Sequence, residues 1–494
     1  MNYIKNKGKK SFGFSAVVLA ILFIGTAASF WTLWPGGFLS DDFDLFAYNT
    51  FSFNDVIDRF LPLKGSSFFR PIGFLYFWVI KTIFGPSPEA FLICSLLTHV
   101  ANSFILVLVT EKLTGNKPVS ALAGLLFTVF PLHGESIGWV SCAFDRLCLL
   151  FMLSSFYFYI KYRQEGRRYA YIASFFLFAF GLMSKEPAIM LPIILVAFEA
   201  IGLNGLKTSG LAPATRRVLP FFALLLAYLG LRVLLFGDIG GYRHADGTPA
   251  GLPPEWVFFA HFNNAFELLL LPLNKPWHLD TGVLVNFFSI LYLASLTLFI
   301  LFARGNWKAI LFGFSWFFIS LLPTLNLTPV QYNLMCTRFL YIPLAGFCIV
   351  LSIILYPNYR NKIRLAQTAS LACVLLMFVW LSHVNYKPWN IAYKVTASVP
   401  AQIKTLVPNP PPNAAMAIIG DLDNLNGAYI FRVGINSAVN NLYSPPKENL
   451  EVWNFDSYDK IRGSIDPGRK LYLFEYSKED FTVRSIEALS PTDR

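Results

Sequence analysis

Six long, mostly apolar runs, at 14–34, 90–110, 143–160, 218–236, 284–303 and 366–383, leave this chain few ways to fold. A bilayer core of roughly 30 Å takes about 20 apolar residues of helix, and each run reaches that length. Five shorter runs, at 118–132, 169–183, 187–203, 309–323 and 339–356, are bracketed by charges and turn residues. Together they predict a polytopic all-α membrane domain of about eleven transmembrane helices. Composition agrees: 55% of residues are hydrophobic and 14% charged, where a soluble domain carries roughly a quarter charged.

The net charge of +11 invites a nucleic-acid reading, but the placement of the cations excludes it. Lys5, Lys7, Lys9 and Lys10 precede the first run. Lys112 and Lys117, then Lys161, Arg163, Arg167 and Arg168, then Lys207, Arg216 and Arg217 fill alternate loops, and Arg304, Lys308, Arg360, Lys362 and Arg364 complete the pattern. This alternation is the positive-inside bias, so the N-terminus is expected in the cytoplasm and the C-terminus outside. Parity then requires Pro71–Phe84, which carries Lys81, and Phe258–Leu273 to lie at the outer interface. A cleavable leader is disfavoured, because the first run continues past Ala27 and Ala28 to Trp34. The six cysteines lack metal or redox spacing and read as buried thiols.

The outward loops are then 35–89, 133–142, 184–187, 237–283, 324–338 and the tail from 384. A proline-rich linker, Pro408 to Asn413, precedes short apolar strings at 415–419, 428–433 and 470–474. These predict a small extracytoplasmic α/β domain. The expected division is 1–384 for the transmembrane part and 385–494 for the tail.

The chemistry-bearing residues gather in the outward loops. Asp41 and Asp42, with Asp44, follow the first span; adjacent carboxylates repel, which raises one of them toward the range of a general base. An ordinary polar loop is the bland alternative. His133, Glu135, Asp145 and Arg146 lie at the mouths of two spans, and Lys185–Glu186 joins two runs with almost no loop. Charges so close to hydrocarbon pair or face a cavity. Arg338 opens a span; snorkelling is its bland role, while the planar guanidinium fork is also the best partner for a lipid-borne phosphate. A base, a phosphate clamp and a lipid-facing groove on one side suit a transferase with a lipid-tethered donor.

Several strings, in order over about residues 36–345, resemble the GT-C class of glycosyltransferases, and most of all the transmembrane and tetratricopeptide-repeat O-mannosyltransferases. They are Asp41-Asp42, Phe69-Arg70-Pro71, Leu97-Thr98-His99, Pro131 to Ser136 with Asp145 following, Ser184-Lys185-Glu186, Asn326-Leu327 and Arg338 to Pro343. The chain departs from those relatives at Thr337, where they carry an acid, at Ala143, where they carry an Arg, and in having a small tail domain instead of repeats. These departures leave the sugar and the acceptor open.

The resemblance implies transfer of a sugar from a polyprenyl-phosphate donor to a hydroxyl of an acceptor protein or glycan, with inversion and without a nucleotide sugar. Asp41 or Asp42 would be the general base. Arg338, with Lys185 or Arg146, would hold the donor phosphate, and His133, Glu135, Arg70, Glu186 and Tyr341 would line the sugar and acceptor pocket. No cofactor is expected, and a divalent cation at Asp41–Asp42 is disfavoured. The expected location is a bacterial inner membrane, with the site and the tail in the periplasm. A transporter or lipid-carrier flippase is the first alternative; it predicts mid-span charges and related halves. A noncatalytic membrane scaffold is the second.

Overall fold

The computed structural model describes residues 2–45, 52–60, 68–203, 210–237, 255–275, 306–325, 327–356, 364–461, 465–466 and 468–489. The expected span at 284–303 lies outside them, as do Asn326, Lys207, Arg304, Arg360 and Lys362. The first helices in chain order are α1 (Asn2–Phe30), α2 (Asp42–Leu45), α3 (Phe53–Phe60), α4 (Pro71–Phe84), α5 (Pro88–Thr114) and α6 (Lys117–Val129). Next come α7 (Gly134–Gly138), α8 (Ala143–Glu165), α9 (Arg168–Leu182), α10 (Leu191–Ile201), α11 (Leu211–Phe236) and α12 (Glu255–Leu270). The series ends with α13 (Trp307–Leu321), α14 (Tyr341–Leu355), α15 (Arg364–Asn385), α16 (Lys387–Leu406) and α17 (Ile435–Asn440).

Among the described residues, 7 helical stretches are long and apolar enough to cross a membrane: Gly13–Leu33, Pro88–Thr114, Val140–Glu165, Ala212–Phe236, Trp307–Thr324, Thr337–Leu355 and Thr368–Leu406. The expected runs at 118–132 and 169–183 form the shorter apolar helices α6 and α9, and Pro71–Phe84 is a helix with the bounds expected of it. Local chemistry sets the ends. The Ser87 side chain accepts the Ala90 N–H and Pro88 occupies the first turn, which starts α5; Asn116 caps α6 in the same way.

The charges sort to opposite ends of this bundle. At one end Lys112 meets Glu165, and Arg163 and Arg217 both meet Glu199. At the other, Lys185 meets Asp145, and Arg70 and Arg232 both meet Glu186. Helix α8, with 23 residues, carries Asp145 near its start and Arg163 near its end; at 1.5 Å per residue it is about 34 Å long. Lys112, Arg163 and Arg217 of the basic loops thus lie at one end, and Arg70, Asp145, Lys185 and Glu186 of the candidate site at the other. Of the cysteines, Cys142, Cys148, Cys336 and Cys348 are buried free thiols, whereas Cys373 lies exposed on α15 and Cys94 is half-buried.

Helices α13 and α14 cross where Gly313 and Gly346 touch: a Cβ on Gly346 would sit 2.4 Å from the Gly313 carbonyl oxygen. Gly346→Ala therefore forces the helices apart and is expected to destabilise the protein by about 1–3 kcal/mol. Gly230→Ala, with nothing within 4 Å of the new methyl, should leave thermal unfolding in detergent unchanged. Equal melting of the two variants would remove this contact from the packing.

Beyond α16 the chain forms a 4-stranded sheet in the order β4-β1-β5-β6, from β1 (Ala415–Ile419), β4 (Glu451–Phe455), β5 (Leu471–Ser477) and β6 (Thr482–Leu489), with a small hairpin of β2 (Asn424–Leu425) and β3 (Ala428–Tyr429). Strand β1 pairs parallel with both β4 and β5 and is buried throughout, which its unbroken apolar sequence allows. The apolar string expected at 428–433 is strand only at Ala428–Tyr429. Helix α16 ties the sheet to the bundle: Tyr393 donates to the Gly138 carbonyl at 2.7 Å, and Gln402 exchanges hydrogen bonds with Phe481 and Val483.

Candidate active site

The loop that follows α1 is fastened to a segment about a hundred residues downstream. Asp42 Oδ2 accepts the Leu39 N–H at 3.0 Å, and its Oδ1 accepts the Ser141 N–H at 3.0 Å. The Ser141 hydroxyl lies 2.7 Å from Asp42 Oδ1 and 2.9 Å from Asp41 Oδ1. Trp139 Nε1 donates to Asp41 Oδ1 at 3.1 Å. Asp42 is fully buried and Asp41 only half-buried. Burial raises both carboxyls above their usual range; the neighbouring Asp41 charge lifts Asp42 further, while Ser141 and Arg338 hold Asp41 partly down. Of the two, Asp41 is the one a substrate can reach.

Arg338 reaches the same place from the far side of the chain. Its Nη1 meets Glu135 Oε1, and its backbone N–H donates to Glu135 Oε2 at 3.0 Å, so a buried cation is matched by a buried anion. Nη1 also donates to the Tyr429 hydroxyl at 3.3 Å. Nε and Nη2 have no partner among the described residues and remain available to a ligand. The guanidinium stands 5.2 Å from the Trp139 ring centre, and Trp139 holds Asp41 through its indole N–H. One indole thus separates the candidate base from the candidate phosphate clamp.

A second bank of charge lies on the same end. Lys185 Nζ donates to Asp145 Oδ2 at 2.6 Å. This ion pair and the Arg338–Glu135 pair both act electrostatically on Cys142, which puts them in one neighbourhood. Glu186 accepts from Arg70 at 2.6 Å and from Arg232 at 3.2 Å. Burial would raise the Glu186 carboxyl, but the two guanidiniums hold it down at about 2.

Three expected site residues are placed elsewhere. Arg146, expected at the donor phosphate, is 1% exposed and directs Nη1 to the Ser136 carbonyl and Nη2 to Ser95 Oγ at 2.7 Å. His133, expected in the sugar pocket, is fully buried; its Nε2 lies 2.9 Å from the Phe127 carbonyl, and burial with the nearby His99 keeps the ring neutral. Tyr341, also expected there, is buried with its hydroxyl between His99 Nδ1 at 2.9 Å and Asn102 Nδ2 at 3.1 Å. The reason is common to all three: a polar group at a span end costs less when paired inside the bundle than when left against hydrocarbon.

The structure also supplies residues that sequence reasoning missed. Trp139 and Ser141 sit inside the motif-bearing stretch, but an indole and a lone hydroxyl gave no chemical signal there. Arg232 ends a span and reads as a snorkelling cation. Tyr429 and Arg432 come from the tail: Arg432 Nη1 donates to the Tyr429 hydroxyl at 3.4 Å, and the Tyr429 ring packs 4.7 Å from Trp139. The tail segment is docked closely, with Ser40 N–H on the Ile430 carbonyl at 2.8 Å and Ser437 Oγ on Asp44 at 2.5 Å. Gly434, at φ 85°, has room only for hydrogen, since a Cβ would lie 2.2 Å from the Ser40 carbonyl oxygen.

Residues 70–228 match the model of the dolichyl-phosphate-mannose-protein mannosyltransferase family, a stretch that carries Arg70, Glu135, Asp145, Lys185 and Glu186 but neither Asp41 nor Arg338. A protein O-mannosyl-transferase of Caenorhabditis elegans is 20% identical over 329 residues, covering 63% of this chain and 45% of that protein. The human protein O-mannosyl-transferase TMTC3 is 25% identical over 326 residues, covering 58% and 35%. The chain spans less than half the length of these curated relatives. Among solved structures, apo ArnT from Cupriavidus metallidurans aligns with a TM-score of 0.49 at 11% identity, over 96% of this chain and 94% of that one. Over residues 70–228 the chain is thus similar to the dolichyl-phosphate-mannose-protein mannosyltransferases, and over about three fifths of its length to named protein O-mannosyl-transferases.

Proposed function

We propose that this protein moves a sugar from a polyprenyl-phosphate donor to a hydroxyl of an acceptor protein or glycan, with inversion at the anomeric carbon. The observation that carries the reading is the flanking of Trp139 by Asp41 and Arg338. Asp41 takes the acceptor proton as general base. Arg338, through Nε and Nη2, and Lys185 from the same end of the bundle stabilise the charge that develops on the departing lipid phosphate. A base at the edge of this ring and a phosphate clamp over it would let the acceptor attack as the phosphate leaves, and displacement from the opposite face inverts the carbon. Glu135 and Asp145 hold the two cations in place, and Arg70 and Glu186 brace the pocket. Dolichyl-phosphate mannose, in the name of the matching family, is the first donor to try.

The separation of basic loops from site residues supports a cytoplasmic N-terminus with the site and the tail outside, as in a bacterial inner membrane. The test is reconstitution of the full chain with polyprenyl-phosphate mannose, together with mass spectrometry of glycoproteins from a deletion strain. A sugar missing from the deletion strain identifies the acceptor; an unaltered glycome and no transfer in vitro would overturn the reading. Arg338→Ala should weaken binding of undecaprenyl phosphate by about tenfold or more, the worth of one or two charge-assisted hydrogen bonds. Unchanged binding removes Arg338 from the donor site.

A further inference from the structure

Three oxygens stand in a row: Asp41 Oδ1, Ser141 Oγ at 2.9 Å, and Asp42 Oδ1 at 2.7 Å from that hydroxyl. A serine hydroxyl has one hydrogen to donate. It serves one carboxylate, and the other short oxygen–oxygen contact needs a hydrogen of its own, which only a protonated carboxyl can supply. Like charges this close do not both ionise in a buried site.

The surroundings decide which carboxyl keeps the hydrogen. Asp42 is fully buried and has no ion pair among the described residues. Its other partners are the backbone N–H groups of Leu39 and Ser141. Asp41 is half-buried, takes the Trp139 indole N–H, and feels the Arg338 guanidinium, with Asp44 acting against it. The cation lies by Asp41, so the negative charge belongs there.

We propose that Asp41 and Asp42 hold a single proton between them, kept on the buried Asp42 by the Ser141 hydroxyl, so that Asp41 is the ionised member. Asp42 donates to Ser141 Oγ, and Ser141 donates to Asp41. Resting on the transferase reading, this makes Ser141 and Asp42 positioning residues. The acceptor hydroxyl gives its proton to Asp41, its oxygen bonds to the anomeric carbon as the phosphate departs with the bonding pair, and the proton on Asp41 leaves through its half-exposed side.

The proton can be read without substrate. Infrared spectra of the full-length protein at neutral pH should contain a protonated-carboxyl band that disappears in Asp42→Asn. A spectrum with no band to lose at that pH overturns the proposal. The pH profile of transfer is the second readout. Ser141→Ala removes a donor to ionised Asp41, which raises the Asp41 carboxyl, so the acid limb moves to higher pH and the loss is greater at pH 6 than at pH 8. Ser141→Thr, which keeps the hydroxyl, should restore the limb. An equal loss at every pH would make Ser141 merely structural and sink the relay. Asp42→Asn should keep roughly a tenth of the activity, because its amide can donate to Ser141 Oγ but conflicts with the Ser141 N–H; complete inactivity of a folded Asp42→Asn would mean that its charge is needed. If the infrared band is present and no polyprenyl-phosphate sugar is transferred, the dyad stands and the transferase reading falls.

Discussion

Asp41→Asn should abolish sugar transfer, with a loss on the order of a hundred- to ten-thousandfold, the range over which a positioned general base contributes. Asparagine keeps the shape and still accepts the Trp139 indole N–H, so the loop from Leu39 to Asp44 stays fastened by Asp42 and Ser141. Undecaprenyl phosphate should therefore bind as before, because the proposed phosphate contacts are those of Arg338 and Lys185. The pair of measurements separates base from clamp. A purified Asp41→Asn variant with full transfer activity would remove Asp41 from the mechanism, and a variant that also loses lipid binding would make it a structural anchor.

Glu135→Gln is expected to have the largest effect on stability. Its carboxylate is fully buried and takes the Arg338 guanidinium, the Arg338 backbone N–H at 3.0 Å and the Thr337 hydroxyl at 3.4 Å. Removing the charge leaves a guanidinium enclosed by Trp139, Phe339 and Tyr429 without a counter-ion. Breaking one side of a buried ion pair costs about 3–5 kcal/mol, which for a membrane protein in detergent reads as a large drop in the thermal midpoint and in the yield of folded protein. The double variant Glu135→Gln with Arg338→Gln removes both charges and should regain much of the loss. If the single variant melts like the parent, the pair does not hold the loop before α14 to the turn at α7. Glu135 is the one carboxylate that hydrogen-bonds or ion-pairs with Arg338 among the described residues.

Membrane architecture was legible in the chain itself because insertion is a local property. Each apolar run has a transfer free energy of its own, and loop cations set orientation loop by loop, so spans such as 90–110 and the shared face of Arg163 and Arg217 can be read without knowing any neighbour. The candidate base and clamp were also visible, since a carboxylate or a guanidinium at a span end is expensive enough to need a reason. Partner choice is not local. Arg338 meets Glu135 across more than two hundred residues, Ser141 fastens Asp42 across about a hundred, and Tyr429 arrives from the tail through a helix and a hairpin. Which of two adjacent aspartates keeps some exposure, and that Arg146, His133 and Tyr341 turn inward, depends on how helices pack side by side. Apolar periodicity sorts residues to a helix face and an end of the bundle, but only tertiary packing brings the faces together. For that reason the sequence by itself determined a polytopic helical protein with its candidate base and phosphate-clamp residues at one end, and the tertiary structure decided which of them meet around Trp139.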